Sequence, residues 1–274
     1  MSEIRIAIIG AGNIGTAIAN GLRKSGRFVP ENIILTRRRA HLLEEMKTQG
    51  FQVENDNLEA VKKSQVIIIA VEPQQIDKVL EEITSVIVSD KHIIISVVTG
   101  VNTNQIKSKV GKEINVVRAM PNTAIAVGES MTCIASDKSD TSAIELTKSI
   151  FEAVGKTLVI SEEEMIAATA LGACGVAFFL RAIRAASQGG IEIGFQAKNA
   201  LQIAAQTARG AATLLLSAEN HPEYEIDRVT TPRGCTIAGL NQMEHEGFSS
   251  ALIKGIIVSA NRASKLYSNK KSED

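Results

Sequence analysis

The stretch that decides the fold reads Ile4-Arg5-Ile6-Ala7-Ile8-Ile9-Gly10-Ala11-Gly12-Asn13-Ile14-Gly15. Its first half is a short apolar run that predicts a buried strand, and the pattern from Thr16 to Lys24 predicts a helix. Gly10 permits a tight turn, Gly12 lets the backbone approach a pyrophosphate, and Gly15 lets helix and strand pack closely. Because the helix N-terminus faces an anion in this arrangement, residues 10–15 are predicted to bind a dinucleotide. The alternative is a tight turn without a ligand.

The end of the second predicted strand, Ile33 to Leu35, selects between two dinucleotides. A site for NAD places Asp or Glu there to accept a hydrogen bond from the ribose 2′-hydroxyl. This strand instead runs into Thr36, Arg37 and Arg38, without a carboxylate. A hydroxyl and two guanidinium groups suit a 2′-phosphate, because guanidinium N–H groups bind phosphate in pairs. NADPH is therefore the predicted cofactor, with NADH possible, and a solvated basic turn is the alternative.

Strand and helix patterns alternate through the first half of the chain. Near-continuous Val and Ile runs, such as Val66 to Val71, are typical of strands covered on both faces. Helix-length segments separate them, which predicts parallel pairing in a doubly wound, Rossmann-type α/β domain over residues 1–160. Further strands are predicted at 92–97, 116–117, 131–135 and 157–160, and further helices at 40–49, 76–88 and 140–152.

The pattern changes at Ser161-Glu162-Glu163-Glu164, where a Ser followed three residues later by Glu predicts a helix capping box. No strand pattern follows, and helices are predicted over 196–218 and 249–267. Residues 161–274 are therefore predicted to form an all-α domain. Its helices are too apolar and too rich in Ala and Gly to stand exposed, which predicts a homodimer. A larger monomeric bundle packed on the first domain is the alternative.

Composition argues against several classes of protein. Thirty basic residues balance thirty acidic ones, aromatic residues make up 3% and Trp is absent, so no nucleic-acid partner is expected. Three scattered cysteines indicate a reducing cytoplasm, and the four histidines form no ligand cluster, so no metal is expected.

The amino terminus lacks a signal-peptide pattern. Met165 to Leu180 is apolar but shorter than the ~20 residues that span a bilayer, so it predicts a buried helix rather than a membrane segment.

A second anion-binding candidate lies in the helical half, at Thr231-Pro232-Arg233-Gly234-Cys235-Thr236. Free N–H groups at the start of the following helix can hold a carboxylate, although an ordinary capped helix start would look the same. The segment resembles the signature of Δ1-pyrroline-5-carboxylate reductase, Val-Thr/Ser-Ser-Pro-Gly-Gly-Thr-Thr-Ile. Other motifs resemble that family in the same order along the chain, namely Ala70-Val71-Glu72-Pro73-Gln74, Arg118-Ala119-Met120-Pro121-Asn122-Thr123, and Glu219-Asn220-His221-Pro222 followed by Asp227-Arg228-Val229.

In that family NADPH reduces the C=N bond of a five-membered cyclic imine to give L-proline. The resemblance implies that the amides of Gly234, Cys235 and Thr236, with the Thr236 hydroxyl, hold the carboxylate of the imine. Glu219 would lie near the ring nitrogen, and Thr169 is a candidate hydroxyl partner for it. The catalytic candidates are thus Thr169, Glu219 and Thr236. The implied cofactor contacts, beyond the glycine loop and the basic turn, are Asn57, Ala70, Val71, Pro73, Met120, Pro121 and Asn122.

The chemistry of such a reduction suits these residue types. A protonated imine is already an electrophile, so the protein must mainly position the ring carbon and stabilise the iminium. His221 could be a proton donor, but beside Pro222 at a helix end it is more readily a structural cap.

Several positions depart from the family pattern. Glu72 stands in place of a lysine, Gly172-Ala173-Cys174-Gly175-Val176-Ala177-Phe178 in place of Ser-Gly-Ser-Gly-Pro-Ala-Tyr, and Arg233 and Cys235 in place of glycine and threonine. Two alternatives therefore remain open. One is a related reductase of another cyclic imine or a keto acid, which Arg233 would favour if the substrate carries a second anionic group. The other is a paralogue that binds a nucleotide and regulates without turnover.

Overall fold

The computed structural model describes residues 4–111, 113–137, 140–218 and 220–266. They fall into two compact units. The sheet unit contains the described residues up to Cys174 and those from Ser259 onward, and the helical unit spans Gly175–Val258. The last strand ends at Val159, next to the boundary predicted at residue 160, whereas the sheet unit continues to Cys174.

The sheet unit is built on eight strands in the order β3-β2-β1-β4-β5-β6-β7-β8. The strands are β1 Ile6–Ile9, β2 Ile33–Thr36, β3 Gln52–Glu54, β4 Val66–Ile69, β5 Ile93–Ser96, β6 Asn115–Met120, β7 Ser130–Ser136 and β8 Gly155–Val159. All neighbours pair in parallel except β6 and β7. The predicted doubly wound sheet is confirmed, but the parallel pairing expected throughout is wrong at β6–β7. The connection there is too short for the crossover that parallel strands need.

The helices are α1 Asn13–Lys24, α2 Glu44–Thr48, α3 Asn57–Lys62, α4 Ile76–Ile83, α5 Thr103–Val110, α6 Thr141–Phe151, α7 Met165–Ala168, α8 Gly175–Glu192, α9 Ala197–Ala218, α10 Pro222–Arg228, α11 Cys235–His245 and α12 Phe248–Ala263. Short 3₁₀ segments precede or follow several of them, and Thr169–Ala173 is a π-helical turn. Sequence reasoning missed β3, α3 and α5. The start of α5 carries a signal, because Asn102 and Gln105 form a capping box with two 2.8 Å hydrogen bonds.

The core of the sheet unit lies on both faces of the sheet. Successive residues of a strand point to opposite faces, so Ile68 joins the apolar cluster under α1 and α6. Its neighbours Ile67 and Ile69 join the cluster under α4 and α5. Every residue of β1, β2 and β4 is buried. This is the burial that the Val and Ile runs predicted.

The helical unit has few buried residues of its own. In α8 they are Gly175 and Ser187, and in α9 only Ala200. The two helices approach closely at Gly190, where an added Cβ would lie 3.1 Å from the Cβ of Ala200. No strand follows β8 within the described ranges, as the sequence predicted.

One helical stretch, Glu162–Glu192, is long and apolar enough to cross a membrane by length and composition, with a mean hydropathy of 1.9 in its most apolar window. Core helices of soluble proteins pass the same test. Only 17% of that window is buried within this chain. The sequence predicted a helix buried on most sides, and one copy of the chain does not supply that burial.

Candidate active site

The glycine loop joins β1 to α1 and is tied to the neighbouring strand. The amides of Gly10 and Ala11 donate to the carbonyl of Thr36, with N···O distances of 3.2 and 2.8 Å. Gly10 has φ +96°, and a Cβ there would lie 2.6 Å from the carbonyl oxygen of Ala70. A Cβ on Gly15 would lie 2.5 Å from the carbonyl oxygen of Gly10. Both glycines are therefore required by the tight contacts that the sequence predicted.

Gly12 differs from these two glycines. A Cβ on it would meet no protein atom within 4 Å, so the space before it is open. Gly12 is the N-cap of α1, whose first amides have no partner within the helix. Asn13 is exposed and Ile14 half-buried at this opening. The amide of Gly12 itself donates to the carbonyl of Gly10 at 2.8 Å, so the donors beside this open space that have no partner within the helix are the amides of Asn13 and Ile14.

The last residue of β2, Thr36, anchors the glycine loop, and two arginines follow it. Thr36 is only 2% exposed, and its carbonyl holds the glycine loop. Arg37 is half-buried and Arg38 exposed. Neither arginine forms a salt bridge within the part of the chain that the structure describes. Both guanidinium groups are therefore available to an anion, whereas the buried Thr36 contributes mainly through its backbone.

The loop after β4 lies directly against the glycine loop. The amide of Ala70 donates to the carbonyl of Ile9 at 2.8 Å, and an added Cβ on Gly10 would also lie 2.6 Å from Cγ1 of Val71. Beyond them Glu72 is exposed and Pro73 half-buried, so the carboxylate that replaces the family's lysine faces solvent.

The side chain of Asn57 already has a hydrogen-bond partner within the protein. It begins α3, where its Nδ2 donates to Oε2 of Glu82 at 3.1 Å. The side chain that the resemblance assigned to the cofactor is thus held by the neighbouring helix α4.

The loop after β6 is fixed by three hydrogen bonds that are buried or partly buried. The amide of Asn122 donates to the Ser130 hydroxyl at 3.2 Å, and its Oδ1 accepts from the amide of Ala124 at 3.0 Å. Its Nδ2 donates to the carbonyl of Gly172 at 3.2 Å, across 50 residues of sequence. Met120 and Pro121 are buried beside it. Asn122 therefore joins the loop after β6 to the π-helical turn.

Thr169 begins that π-helical turn and is 5% exposed. Its hydroxyl donates to the carbonyl of Met165 at 2.8 Å. The hydroxyl proton is thus in use, and the oxygen is left as an acceptor. π-helical turns are common at functional sites. Thr169 can therefore serve a group that donates a hydrogen bond.

Two ionisable groups near this segment have shifted pKa values. The backbone N–H of Ser161, followed by its hydroxyl, lowers the pKa of Glu164, which confirms the predicted capping box. Burial, and to a smaller extent the charge of Glu164, raises the pKa of the Cys133 thiol. Cys133 is therefore a neutral core residue rather than a nucleophile.

The anion-binding candidate of the helical unit lies at the start of α11. The amide of Gly234 donates to the carbonyl of Thr231 at 2.9 Å, so it is not free for a carboxylate as predicted. A Cβ on Gly234 would collide with the Thr231 hydroxyl. Cys235 and Thr236 occupy the first two helical positions, where amides have no partner within the helix. Arg233 has φ +58°, a left-handed conformation that favours glycine.

The remaining candidates of the helical unit are Glu219 and His221. Glu219 lies outside the described residues. Nδ1 of His221 accepts from the amide of Glu223 at 3.3 Å, which confirms that His221 caps α10. The sequence also raised a proton-donor role for it, and nothing in its contacts requires one.

The predicted residues of the sheet unit gather at one edge. The glycine loop, the basic turn, and the loops at 70–73 and 120–122 follow β1, β2, β4 and β6, all at the carboxyl ends of parallel strands. Ligands of doubly wound proteins bind at this edge. Sequence reasoning did not single out Ser130, which holds the Asn122 amide, or the pair of Arg118 and Glu162, whose side chains lie 2.7 Å apart. The charge of Arg118 between the apolar residues Val117 and Ala119 was the available signal.

Metal-ligand clusters and surface grooves are two other kinds of possible site. No group of three or more potential metal ligands occurs among the described residues. A shallow groove runs along one face of α9, far from these loops in sequence. Its lining residues are Gln206, Arg209, Gly210, Thr213, Leu214 and Ser217.

Family models match both halves of the chain. Residues 162–266 match a model described as pyrroline-5-carboxylate reductase dimerisation. Residues 5–100 match one described as NADP oxidoreductase, coenzyme F420-dependent.

Three similar curated proteins are each named pyrroline-5-carboxylate reductase. Pyrroline-5-carboxylate reductase 2 of Dictyostelium discoideum is 50% identical, over 95% of this chain and 92% of the relative. Pyrroline-5-carboxylate reductase 1 of the same organism is 52% identical over 97% of this chain, which spans only half the length of that relative. The Methanosarcina acetivorans enzyme is 35% identical over 97% of this chain and 99% of its own.

Solved structures agree with these matches. A pyrroline-5-carboxylate reductase from Coxiella burnetii aligns with a TM-score of 0.86 and 30% identity, over 96% of this chain and 98% of the other. The Plasmodium falciparum pyrroline carboxylate reductase with NADP bound aligns with a TM-score of 0.88 at 24% identity, over 97% and 99% of the two chains, and shows the same fold. The chain therefore belongs to the pyrroline-5-carboxylate reductase family.

Proposed function

We propose that the chain reduces Δ1-pyrroline-5-carboxylate to L-proline with NADPH, the last step of proline biosynthesis. The observation that carries this proposal is the open space at Gly12 beside the amides of Asn13 and Ile14, in a family whose named members perform this reduction. NADPH would supply a hydride to the imine carbon and leave as NADP⁺. The nitrogen keeps its proton, so the product is the secondary amine.

Residues of the sheet unit would hold the cofactor. The amides of Asn13 and Ile14 suit the pyrophosphate, since they lie at a helix N-terminus beside the open space at Gly12. Arg37 and Arg38 suit the 2′-phosphate, which NADH lacks. The loops at 70–73 and 120–122 would contact the nicotinamide half. These assignments favour NADPH over NADH.

Residues of both predicted domains would act on the substrate. The amides of Cys235 and Thr236 and the Thr236 hydroxyl would bind the carboxylate, while the Gly234 amide serves the loop itself. Glu219 would stabilise the positive charge on the ring nitrogen. Thr169 would accept a hydrogen bond from the iminium N–H, since its own proton is committed to the carbonyl of Met165. In this proposal residues 1–160 bind the cofactor, and residues 161–274 bind the substrate and form the dimer contact.

The assembled enzyme is proposed to be a homodimer, or a higher oligomer built from dimers, in the cytoplasm. Apolar side chains along α8 and α9 are exposed in the single chain, among them Leu180 at 59% and Leu216 at 84%. This surface lies within the part that matches the dimerisation model. The cysteines are free rather than paired, which suits a reducing compartment.

The test combines turnover with cofactor titration. We expect the purified protein to oxidise NADPH only when the pyrroline substrate is present, and to bind NADPH more tightly than NADH. The double variant Arg37→Gln, Arg38→Gln should lose at least about tenfold in NADPH affinity and little in NADH affinity, because only NADPH loses charge-assisted hydrogen bonds. The control is Arg27→Gln, an exposed arginine before β2 at the opposite edge of the sheet.

Three outcomes would contradict parts of the proposal. Equal binding of the two dinucleotides would reject the assignment of Arg37 and Arg38. Turnover only with another imine or a keto acid would change the substrate. Tight NADPH binding without turnover on any of these compounds would favour a regulatory paralogue.

A further inference from the structure

A partly buried ion pair joins β6 to the segment 162–173 that follows the sheet. Nη1 of Arg118 lies 2.7 Å from Oε1 of Glu162, and the two side chains are 6% and 27% exposed. Arg118 is the one charged residue of β6, between buried Val117 and Ala119. The pair connects residues 44 positions apart.

The pair is not arranged for stability alone. Nε of Arg118 and Oε2 of Glu162 are buried, and neither has a hydrogen-bond partner among the described residues. Burying charged groups with part of their hydrogen-bonding capacity unmet costs free energy, and well-packed apolar replacements are often at least as stable. We therefore expect the main effect of the Arg118–Glu162 pair to be that it fixes the position of the segment 162–173 relative to β6.

Arg118 belongs to a row of contacts with the same segment. Residues two apart on a strand share a face, so Arg118 and Met120 of β6 do, and Asn122 lies two residues after the end of that strand. Arg118 pairs with Glu162 at the start of the segment. Met120 packs in one apolar cluster with Met165, and Asn122 donates to the carbonyl of Gly172 near its end. The row therefore holds the segment at Glu162, Met165 and Gly172, on both sides of Thr169.

The segment held in this way contains the π-helical turn with Thr169. We propose that Arg118 and Glu162 are positioning residues for hydride transfer, which hold Thr169 in register with the loop at 120–122 through the fixed segment 162–173. This inference rests on the proposed function. Neither residue touches substrate or cofactor in it, since both act through the segment between them. Displacing reacting groups by about 1 Å can cost about a hundredfold in rate.

The test uses Arg118→Met and Glu162→Gln, with Lys109→Met and Glu81→Gln as matched controls. The control pair also joins two elements of the sheet unit, at 3.0 Å, but its side chains are 39% and 63% exposed. We measure kcat per NADPH-binding site, KM for both substrates, and the isotope effect on kcat with NADPH deuterated at the transferred hydride. Counting binding sites removes the effect of a smaller folded fraction.

Arg118→Met is expected to lower kcat per site about tenfold or more, with KM for NADPH changed less than about twofold. The isotope effect on kcat should rise, because the hydride step becomes slower relative to binding and release. Glu162→Gln should act in the same direction, and the double variant should lose no more than Arg118→Met alone. The control variants should leave all three quantities unchanged.

An unchanged kcat per site and isotope effect in either folded variant would overturn the proposal. If Arg118→Met does not fold, Glu162→Gln decides, because its amide keeps the shape of the carboxylate. Wild-type protein without turnover would reject the proposed function and this inference with it. Active wild type with unaffected variants would reject this inference alone.

Discussion

The sheet unit and the helical unit are both apolar, but they bury their apolar residues differently. In the sheet unit all residues of β1, β2 and β4 are buried by helices of the same chain. In the helical unit α8 and α9 together bury only three residues, while Phe179 and Leu216 are 60% and 84% exposed. An apolar pattern therefore predicts that a surface will be covered, but not which chain will cover it.

The difference follows from the architecture of each unit. A sheet covered by helices on both faces encloses two apolar layers within one chain. Long helices rich in Ala and Gly can approach each other closely, as α8 and α9 do at Gly190, but two of them enclose little volume. Such helices gain a core only by packing against more helices, which a second copy of the chain can provide.

The prediction with the largest expected effect places a charge on the exposed surface of α9. Leu214 lines the groove on α9 and is 50% exposed. If a second copy covers it, Leu214→Asp should cost about 1.5 kcal/mol or more per copy, hence about 3 kcal/mol per dimer. That weakens association by more than about a hundredfold. Light scattering should show a smaller particle at the same protomer concentration, with a matching loss of turnover.

The control for this change lies in the sheet unit. Val88 is 52% exposed, so it matches Leu214 in exposure but not in surroundings. Val88→Asp should leave the particle mass and turnover unchanged. Equal effects of the two substitutions, or none from Leu214→Asp, would show that the groove on α9 is not an interface.

A second prediction separates packing from ligand binding within the sheet unit. Gly15→Ala would place a Cβ 2.5 Å from the carbonyl oxygen of Gly10. It should lower the free energy of unfolding by about 1–3 kcal/mol, since backbone must move to relieve the contact. Gly12→Ala meets no atom within 4 Å, so it should change stability by less than about 0.5 kcal/mol. Its Cβ would occupy the proposed pyrophosphate space, and NADPH affinity should fall at least about tenfold.

Denaturant unfolding and NADPH titration check both variants at a fixed protomer concentration. A Gly12→Ala protein that binds NADPH as the wild type does would remove the main support for the proposed cofactor site. A Gly15→Ala protein of wild-type stability would mean that the turn after β1 can widen. The two results are independent of each other.

The parts of the molecule that sequence reasoning predicted are those determined by neighbouring residues. The glycine loop was predicted because turn, close approach and helix start all lie within residues 10–15. The capping box at Ser161 was predicted for the same reason, since both partners lie three residues apart. The alternation of buried strands and helices likewise depends on local periodicity.

Much of what was missed depends on contacts between distant residues, whereas the Asn102–Gln105 capping box of α5 was a local signal that sequence reasoning overlooked. The Arg118–Glu162 pair spans 44 residues and the Asn122–Gly172 bond spans 50, so no local pattern reports them. The antiparallel pairing of β6 and β7 depends on how the short connection folds back. The use of the Gly234 amide by the Thr231 carbonyl depends on the path of the backbone in that loop. Residue types alone predicted that a helix starts at Cys235, but not that the Gly234 amide is already in use.

A last prediction compares how the two units accommodate left-handed backbone. In the sheet unit glycine occupies each such position among the described residues, including Gly26 at φ +69°. In the helical unit Arg233 adopts φ +58°, where the family pattern has glycine. Left-handed backbone costs a residue with a Cβ about 1–2 kcal/mol, and a glycine loses more entropy on folding, which offsets part of that cost. Arg233→Gly should therefore raise the free energy of unfolding by about 0.5–1 kcal/mol.

The matched change in the sheet unit should have the opposite sign. A Cβ on Gly26 would meet no atom within 4 Å, so Gly26→Ala isolates the conformational cost and should lower the free energy of unfolding by about 1 kcal/mol. Denaturant unfolding at one protomer concentration measures both variants. If Arg233→Gly instead lowers stability while Gly26→Ala behaves as expected, then the Arg233 side chain contributes more than its backbone costs. An arginine kept at a strained position for its contacts would point to a ligand or a second subunit at the start of α11, because strained residues that persist are held by the groups around them.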